Sequence, residues 1–117
     1  MAAIYVFIGG GLGALSRFGI SKIIDNYAFP YATLIANIIS CIILGYLMGA
    51  VLQKSLDQKL QLLLMTGFCG GFSTFSTYSA ESFRLLQNNQ YGAAFIYIFG
   101  SILICLICIW AGIKLYQ

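Results

Sequence analysis

Uncharged, apolar stretches fill most of this chain, and its few charged residues fall near their ends. Met1 to Ser16 is uncharged and is followed by Arg17 and Lys22. Asn26 to Gln53 is uncharged and gives way to the polar hinge KSLDQK, Lys54 to Lys59. Leu60 to Ala80 is uncharged up to Glu81 and Arg84, and Leu85 to Ile113 is uncharged up to Lys114. A helix that crosses a bilayer needs ~20 predominantly apolar residues. Three of the runs qualify outright; the first does so if Arg17 lies inside the protein or snorkels to an interface. The pattern therefore predicts four transmembrane helices, at roughly 3–23, 31–52, 60–84 and 92–115. Pro30 and the patch QNNQ, Gln87 to Gln90, mark turns between them. Apolar/polar alternation over ~10-residue segments is missing, which excludes barrel strands.

Composition strengthens this reading. Of 117 residues, 61% are hydrophobic and 8% are charged, against roughly 25% charged in a soluble domain. Such a chain cannot cover a water-facing surface, so an all-α integral membrane protein is expected, with residues 1–117 forming one domain embedded in the lipid bilayer. The net charge of +3 comes without a basic cluster, and no nucleic-acid partner is expected. The N-terminus lacks the basic region and small-residue cleavage site of a signal peptide. Cys41, Cys69, Cys105 and Cys108 all lie in apolar runs, histidine is absent, and the C-x-x-C at Cys105 to Cys108 has no second pair at metal-site spacing. The cysteines read as small packing residues.

With four spans, Lys54, Lys59 and Lys114 share one membrane side. Lys22, Arg84 and, if it reaches that interface, Arg17 share the other. Lys/Arg asymmetry sets orientation, and here it is nearly nil, so the chain can insert either way up. A protein that does so can pair with an inverted copy of itself about a two-fold axis in the membrane plane, and an antiparallel dimer is predicted. G-x-x-x-G pairs at Gly9/Gly13, Gly45/Gly49 and Gly67/Gly71 let helix backbones approach closely in lipid. GGGLGA, Gly9 to Ala14, also fits a dinucleotide fingerprint, but the preceding strand and the later acidic residue are missing.

Polar residues recur at helical spacing. Thr33, Asn37, Ser40 and Cys41 form one stripe, and Tyr97, Ser101, Cys105 and Cys108 form another. In the third segment Phe75, Tyr78, Ser79 and Ser82 share one side, with Thr74, Thr77 and Glu81 beside them. Within a bilayer such stripes either bond helix to helix or line an aqueous path; the density of hydroxyls in the third segment favours a path. Its lining would offer Ser, Thr and Tyr hydroxyls, the Asn37 amide and the positive edges of aromatic rings. Cation pores commonly carry carboxylate rings, whereas here only Glu81 lies near a span interior. A small anion is the expected cargo. Gly70-Gly71, followed by Phe72-Ser73-Thr74, predicts a helix break. Its freed carbonyls must then be satisfied at membrane depth, by protein, water or a cation such as Na⁺. The alternative is a continuous helix in which the glycines serve packing.

These residues resemble the Fluc (CrcB) fluoride channels of bacteria over the whole chain. GGGLGALSRF, Gly9 to Phe18, is similar to that family's first-helix motif. ATLIAN, Ala32 to Asn37, is similar to its second-helix T-L-x-x-N pattern, and GFCGGFSTFSTYSAE, Gly67 to Glu81, to its long third-helix signature. The resemblance implies a dual-topology dimer with two pores in the bacterial inner membrane, carrying F⁻ passively and without enzymatic chemistry. It implies that Phe75 and Tyr78 offer ring edges to fluoride, with Asn37 and Thr33 on the second helix. Ser76 and Thr77 would form a polar track, Tyr97 and Ser101 would face the path, and Arg17 would stand near the vestibule. It further implies a structural Na⁺ at the dimer centre, held by backbone carbonyls of Gly70 and Ser73 from both copies. Tyr78 departs from the family's usual phenylalanine, and Phe72 and Ser73 from its leucine and threonine. Because some members work as heterodimers of chains that have each lost pore residues, Tyr78 leaves a non-conducting or heterodimer-obligate subunit as the alternative. A small multidrug transporter would need a carboxylate in the first helix, which has none.

Overall fold

The computed structural model describes residues 2–24, 29–73 and 75–116; Thr74, placed above on the polar side of the third segment, lies outside them. Every regular element among the described residues is helical: α1 (Ala2–Ile23), α2 (Tyr31–Leu52), α3 (Gln58–Gln61), a π-helical stretch (Leu62–Cys69), α4 (Gly70–Phe72), α5 (Phe75–Gln87) and α6 (Tyr91–Tyr116). α1, α2 and α6 are long and apolar enough to cross a membrane. Between them, α3, the π-helical stretch and α4 run on as a helix over 58–72, and α5 restarts beyond Ser73. The segment expected as one span is thus two shorter helices. The molecule measures 47 × 28 × 20 Å, its long axis close to the ~40–45 Å of a bilayer with its headgroups.

Two close helix pairs organise the fold, α1 with the 58–72 helix and α2 with α6. Glycine makes both possible. A Cβ on Gly9 would stand 2.1 Å from the Leu63 carbonyl oxygen, and one on Gly13 2.2 Å from that of Phe68. On the facing helix, a Cβ on Gly67 would meet Gly9 Cα at 2.9 Å, and one on Gly71 the Gly10 carbonyl oxygen at 2.4 Å. Gly9 therefore faces Gly67 and Gly13 faces the Phe68–Phe72 turn, so the two helices run in the same direction. α2 and α6 repeat the arrangement, with Gly45 against the Ile109 carbonyl, Gly112 against that of Ile42, and Gly49 under the Tyr116 side chain. In lipid, where apolar surface gives no preference for protein over solvent, close backbone approach is a main source of helix–helix attraction.

The break falls later than the glycines. Gly70 has ordinary helical angles, φ −65° and ψ −35°, and Gly71 is held against α1, so the helix continues through both and only Gly71 serves packing. Regular helix stops after Phe72, and Ser73 is extended at φ −103° and ψ 148°. Ser73 still donates its N–H (3.1 Å) and its hydroxyl (2.9 Å) to the Cys69 carbonyl, and Ser40 on α2 adds a third donor at 3.3 Å. The Cys69 thiol returns a bond to the Ser40 carbonyl at 3.9 Å. α5 then packs on α6, joined by a tight turn in which Asn89 takes φ 60°, a left-handed conformation that asparagine tolerates.

The outer faces remain apolar. In its membrane-length window only 11% of α1 is buried, and Phe7, Leu15, Phe95 and Trp110 are largely exposed. Lys22 lies over the Phe18 ring at 5.4 Å and Lys114 over that of Trp110 at 5.8 Å. Both lysines are snorkelling cations, and Trp110 is an aromatic of the kind enriched at membrane interfaces. Gly9→Ala or Gly13→Ala is expected to destabilise the fold by ~1–3 kcal/mol through overpacking against backbone. Gly100→Ala, whose Cβ would meet nothing within 4 Å, is expected to be neutral or slightly stabilising. Thermal unfolding of the detergent-solubilised variants checks the contrast.

Candidate functional site

The polar stripes of α2, α5 and α6 converge. Asn37 and Cys41 from α2, Ser73, Phe75 and Tyr78 from the break and α5, and Ser101, Ile102 and Cys105 from α6 line one groove of about 230 Å³. That is ample for water, which needs ~10–15 Å³ of accessible space. Asn37 and Cys41 are one helical turn apart, as are Ser101 and Cys105, so each pair presents stacked groups on one face.

Two polar atoms of this wall are buried without a partner, Asn37 Oδ1 and Ser101 Oγ. An orphaned buried polar group costs about 1–3 kcal/mol, and both occur on residues that line the groove. A hydroxyl can donate, and a half-turn of the Asn37 amide exchanges its oxygen for an NH₂ with two donors. The groove can thus offer hydrogen-bond donors to an occupant.

The aromatic pair has two distinct members. Phe75 is 78% exposed on the groove rim, its ring centroid 5.8 Å from that of Tyr78. Tyr78 is half-buried, and its hydroxyl donates to the Ile98 carbonyl on α6 at 2.5 Å. The added oxygen is therefore taken up by the α6 backbone, which leaves the ring itself for the groove.

Tyr97 and Thr33 stand behind the wall. Tyr97 is 1% exposed, its hydroxyl donates to Glu81 Oε1 at 3.2 Å, and buried Thr33 hydrogen-bonds to it from α2. The Phe29 ring meets it edge-on at 5.4 Å, and Tyr78 lies at 5.2 Å. This layer ties α2, α5 and α6 together, and it gives Glu81 a partner that sequence reading did not assign. Ser76, exposed, and Thr77, partly buried, are on α5 but do not line the groove. Arg17, part-buried, directs Nε to the Gly71 carbonyl at 3.4 Å, supplying a donor to the last turn before the break. Cys41 and Cys105, small packing residues by type, line the groove as their spacing of four from Asn37 and Ser101 on the polar stripes allows.

The implied Na⁺ site can be tested against this geometry. Among the described residues no group of three His, Cys, Asp or Glu side chains could hold a metal. Oxygen is the donor a hard cation prefers, and a helix end presents carbonyls without intrahelical partners. Gly70 is exposed, and its Cβ position meets only the Met65 carbonyl oxygen, at 4.0 Å. Two carbonyls at an open break fit a hard monovalent cation if a second copy completes the set.

Membrane-length apolar helices flanking a groove of amide, hydroxyl and ring groups define a helical membrane protein. The model of the family described as CrcB-like protein, Camphor Resistance (CrcB) matches residues 4–113, and the chain belongs to that family. It is 40% identical over 113 residues to a fluoride-specific ion channel FluC of Flavobacterium psychrophilum, covering 93% of this chain and 91% of that one. To proteins of the same name it is 38% identical over 117 residues in Ignicoccus hospitalis (99% and 95% covered) and 43% over 109 residues in Pyrococcus abyssi (92% and 89% covered).

Tyr78→Phe is expected to cost about 1 kcal/mol, the net worth of one hydrogen bond, while Tyr97→Phe costs more, up to ~3 kcal/mol, by leaving Glu81 and Thr33 short of a partner. Thermal unfolding of the two variants side by side distinguishes them.

Proposed function

We propose that this protein is a fluoride-selective ion channel that lets F⁻ leave the cell passively, down its electrochemical gradient. The observation that carries this reading is the groove, where the unpartnered Asn37 Oδ1 and Ser101 Oγ stand beside the Phe75 and Tyr78 rings. A small, strongly hydrated anion needs donors to replace its water, and ring edges add positive potential without adding charge. The bond from Tyr78 to Ile98 supports a conducting chain, because the hydroxyl that distinguishes this residue from phenylalanine is held away as a donor. Thr33 and Tyr97 then set the wall from behind, Ser76 and Thr77 extend the polar surface of α5, and Arg17 gives positive potential beside the break.

The architecture proposed with this function has four crossings, the fourth made by the 58–72 helix and α5 together. The parallel packing of α1 on the 58–72 helix supports it, as does the packing of α5 on α6. Exposed Phe75 and Gly70 support an antiparallel homodimer in the cell membrane, with two pores, each completed by the partner copy. Gly70 and Ser73 would hold a structural Na⁺ at its centre through their carbonyls, where the ion would neutralise facing helix ends.

Liposomes containing this chain alone are expected to release fluoride, and Phe75→Ile to slow the release at least tenfold, equivalent to about 1.4 kcal/mol in barrier. Unchanged flux in Phe75→Ile would remove that ring from the path. No flux from the chain alone, restored by a second homologous chain, would make it an obligate heterodimer subunit. Labelling of single cysteines introduced into the 53–57 loop is expected to reach both membrane sides; one-sided labelling would rule out an inverted homodimer.

A further inference from the structure

Two of the groove's eight lining residues are thiols, on different helices. Cys41 on α2 and Cys105 on α6 both line it, and the two side chains are close enough to interact across it, with Cys69 and Cys108 also near Cys41. All four thiols are free. The Gly45–Ile109 and Gly112–Ile42 contacts fix the spacing of α2 and α6 within a turn or two of these cysteines, so the pair is held by backbone packing.

We propose that Cys41 and Cys105 form a binding site for a soft, divalent d¹⁰ cation that prefers linear two-coordination, with mercuric ion as the matching species. Thiolate sulfur is a soft donor. Binding forms two S–Hg bonds and releases both thiol protons, so Hg²⁺ and two thiols give a neutral S–Hg–S bridge and two H⁺. Charge selects the valence, because a monovalent ion such as Ag⁺ or Cu⁺ would leave a net negative bridge at membrane depth, where an uncompensated charge is costly. Ligand number selects the metal, because zinc takes four ligands in tetrahedral array and no group of even three His, Cys, Asp or Glu occurs among the described residues. The bridge would cross the groove beside Asn37 and Ser101. Occlusion of the anion path follows from it, and that consequence alone rests on the function proposed above.

The test uses the full-length protein in detergent and in liposomes, with mercuric chloride as probe and excess glutathione as competing monothiol. One mercury per chain is expected to survive the competition, with sulfur-to-mercury charge-transfer absorbance and a mercury-bridged pair of peptides containing Cys41 and Cys105 in mass spectra. Cys41→Ser and Cys105→Ser should each weaken retention roughly 100-fold or more, since the second thiol acts at high effective concentration. Cys69→Ser and Cys108→Ser should retain the metal. Mercury that bridges other cysteines in the unmutated protein, or is washed out of it by glutathione, overturns the site without recourse to any variant. In liposomes, bridged mercury is expected to stop fluoride release; bridging with undiminished release would keep the site and overturn the groove as the path.

Discussion

Backbone contact between α1 and the 58–72 helix is the constraint on which the rest of this molecule depends. A Cβ at Gly9, Gly13 or Gly71 would stand within 2.4 Å of a carbonyl oxygen on the facing helix, so nothing larger than glycine permits the observed approach. That approach brings Arg17, one turn beyond Gly13, to the end of the 58–72 helix, where its Nε reaches the Gly71 carbonyl. Had the helices stood a side chain farther apart, the last turn before Ser73 would have lost that donor. At membrane depth a lost donor has no water to replace it.

The break and the groove are consequences of one another. Extended Ser73 turns the chain so that α5 leaves α1 and packs on α6, which brings Phe75 and Tyr78 to the face shared with Asn37 and Ser101. The polar groups of α2 are then divided by depth. Ser40 secures the break through Cys69, Thr33 joins the buried Tyr97–Glu81 layer, and Asn37 with Cys41 is left facing the groove. One helical stripe thus holds the helix end, braces the wall and lines the groove. Among the described residues, the buried side-chain atoms without a partner, Asn37 Oδ1 and Ser101 Oγ, both belong to residues that line the groove.

This division explains why a tyrosine is accommodated in an aromatic pair. Its ring lines the groove, while its hydroxyl acts as a brace to Ile98 on α6. The same economy holds for Glu81, whose carboxylate accepts from Tyr97 inside the wall.

Hydropathy and charge along the chain were enough to define the solvent and the helical segments. Charge-bounded apolar runs require a bilayer; the runs around Gly9 and Gly45 already carried α1, α2 and their close-packing glycines, and helical spacing in the second, third and fourth runs carried the three stripes that converge. Those features are periodic and local, so they can be read along one dimension. Packing in three dimensions settled where the third segment breaks, because Gly71 permits both a bend and a tight contact, and it is the proximity of Gly10 that selects the contact. Likewise the spacing placed Thr33, Asn37, Ser40 and Cys41 on one stripe without separating their roles. Those roles follow from which of Tyr97, Cys69 or Cys105 lies opposite, and that pairing exists only once four chain segments have been brought together.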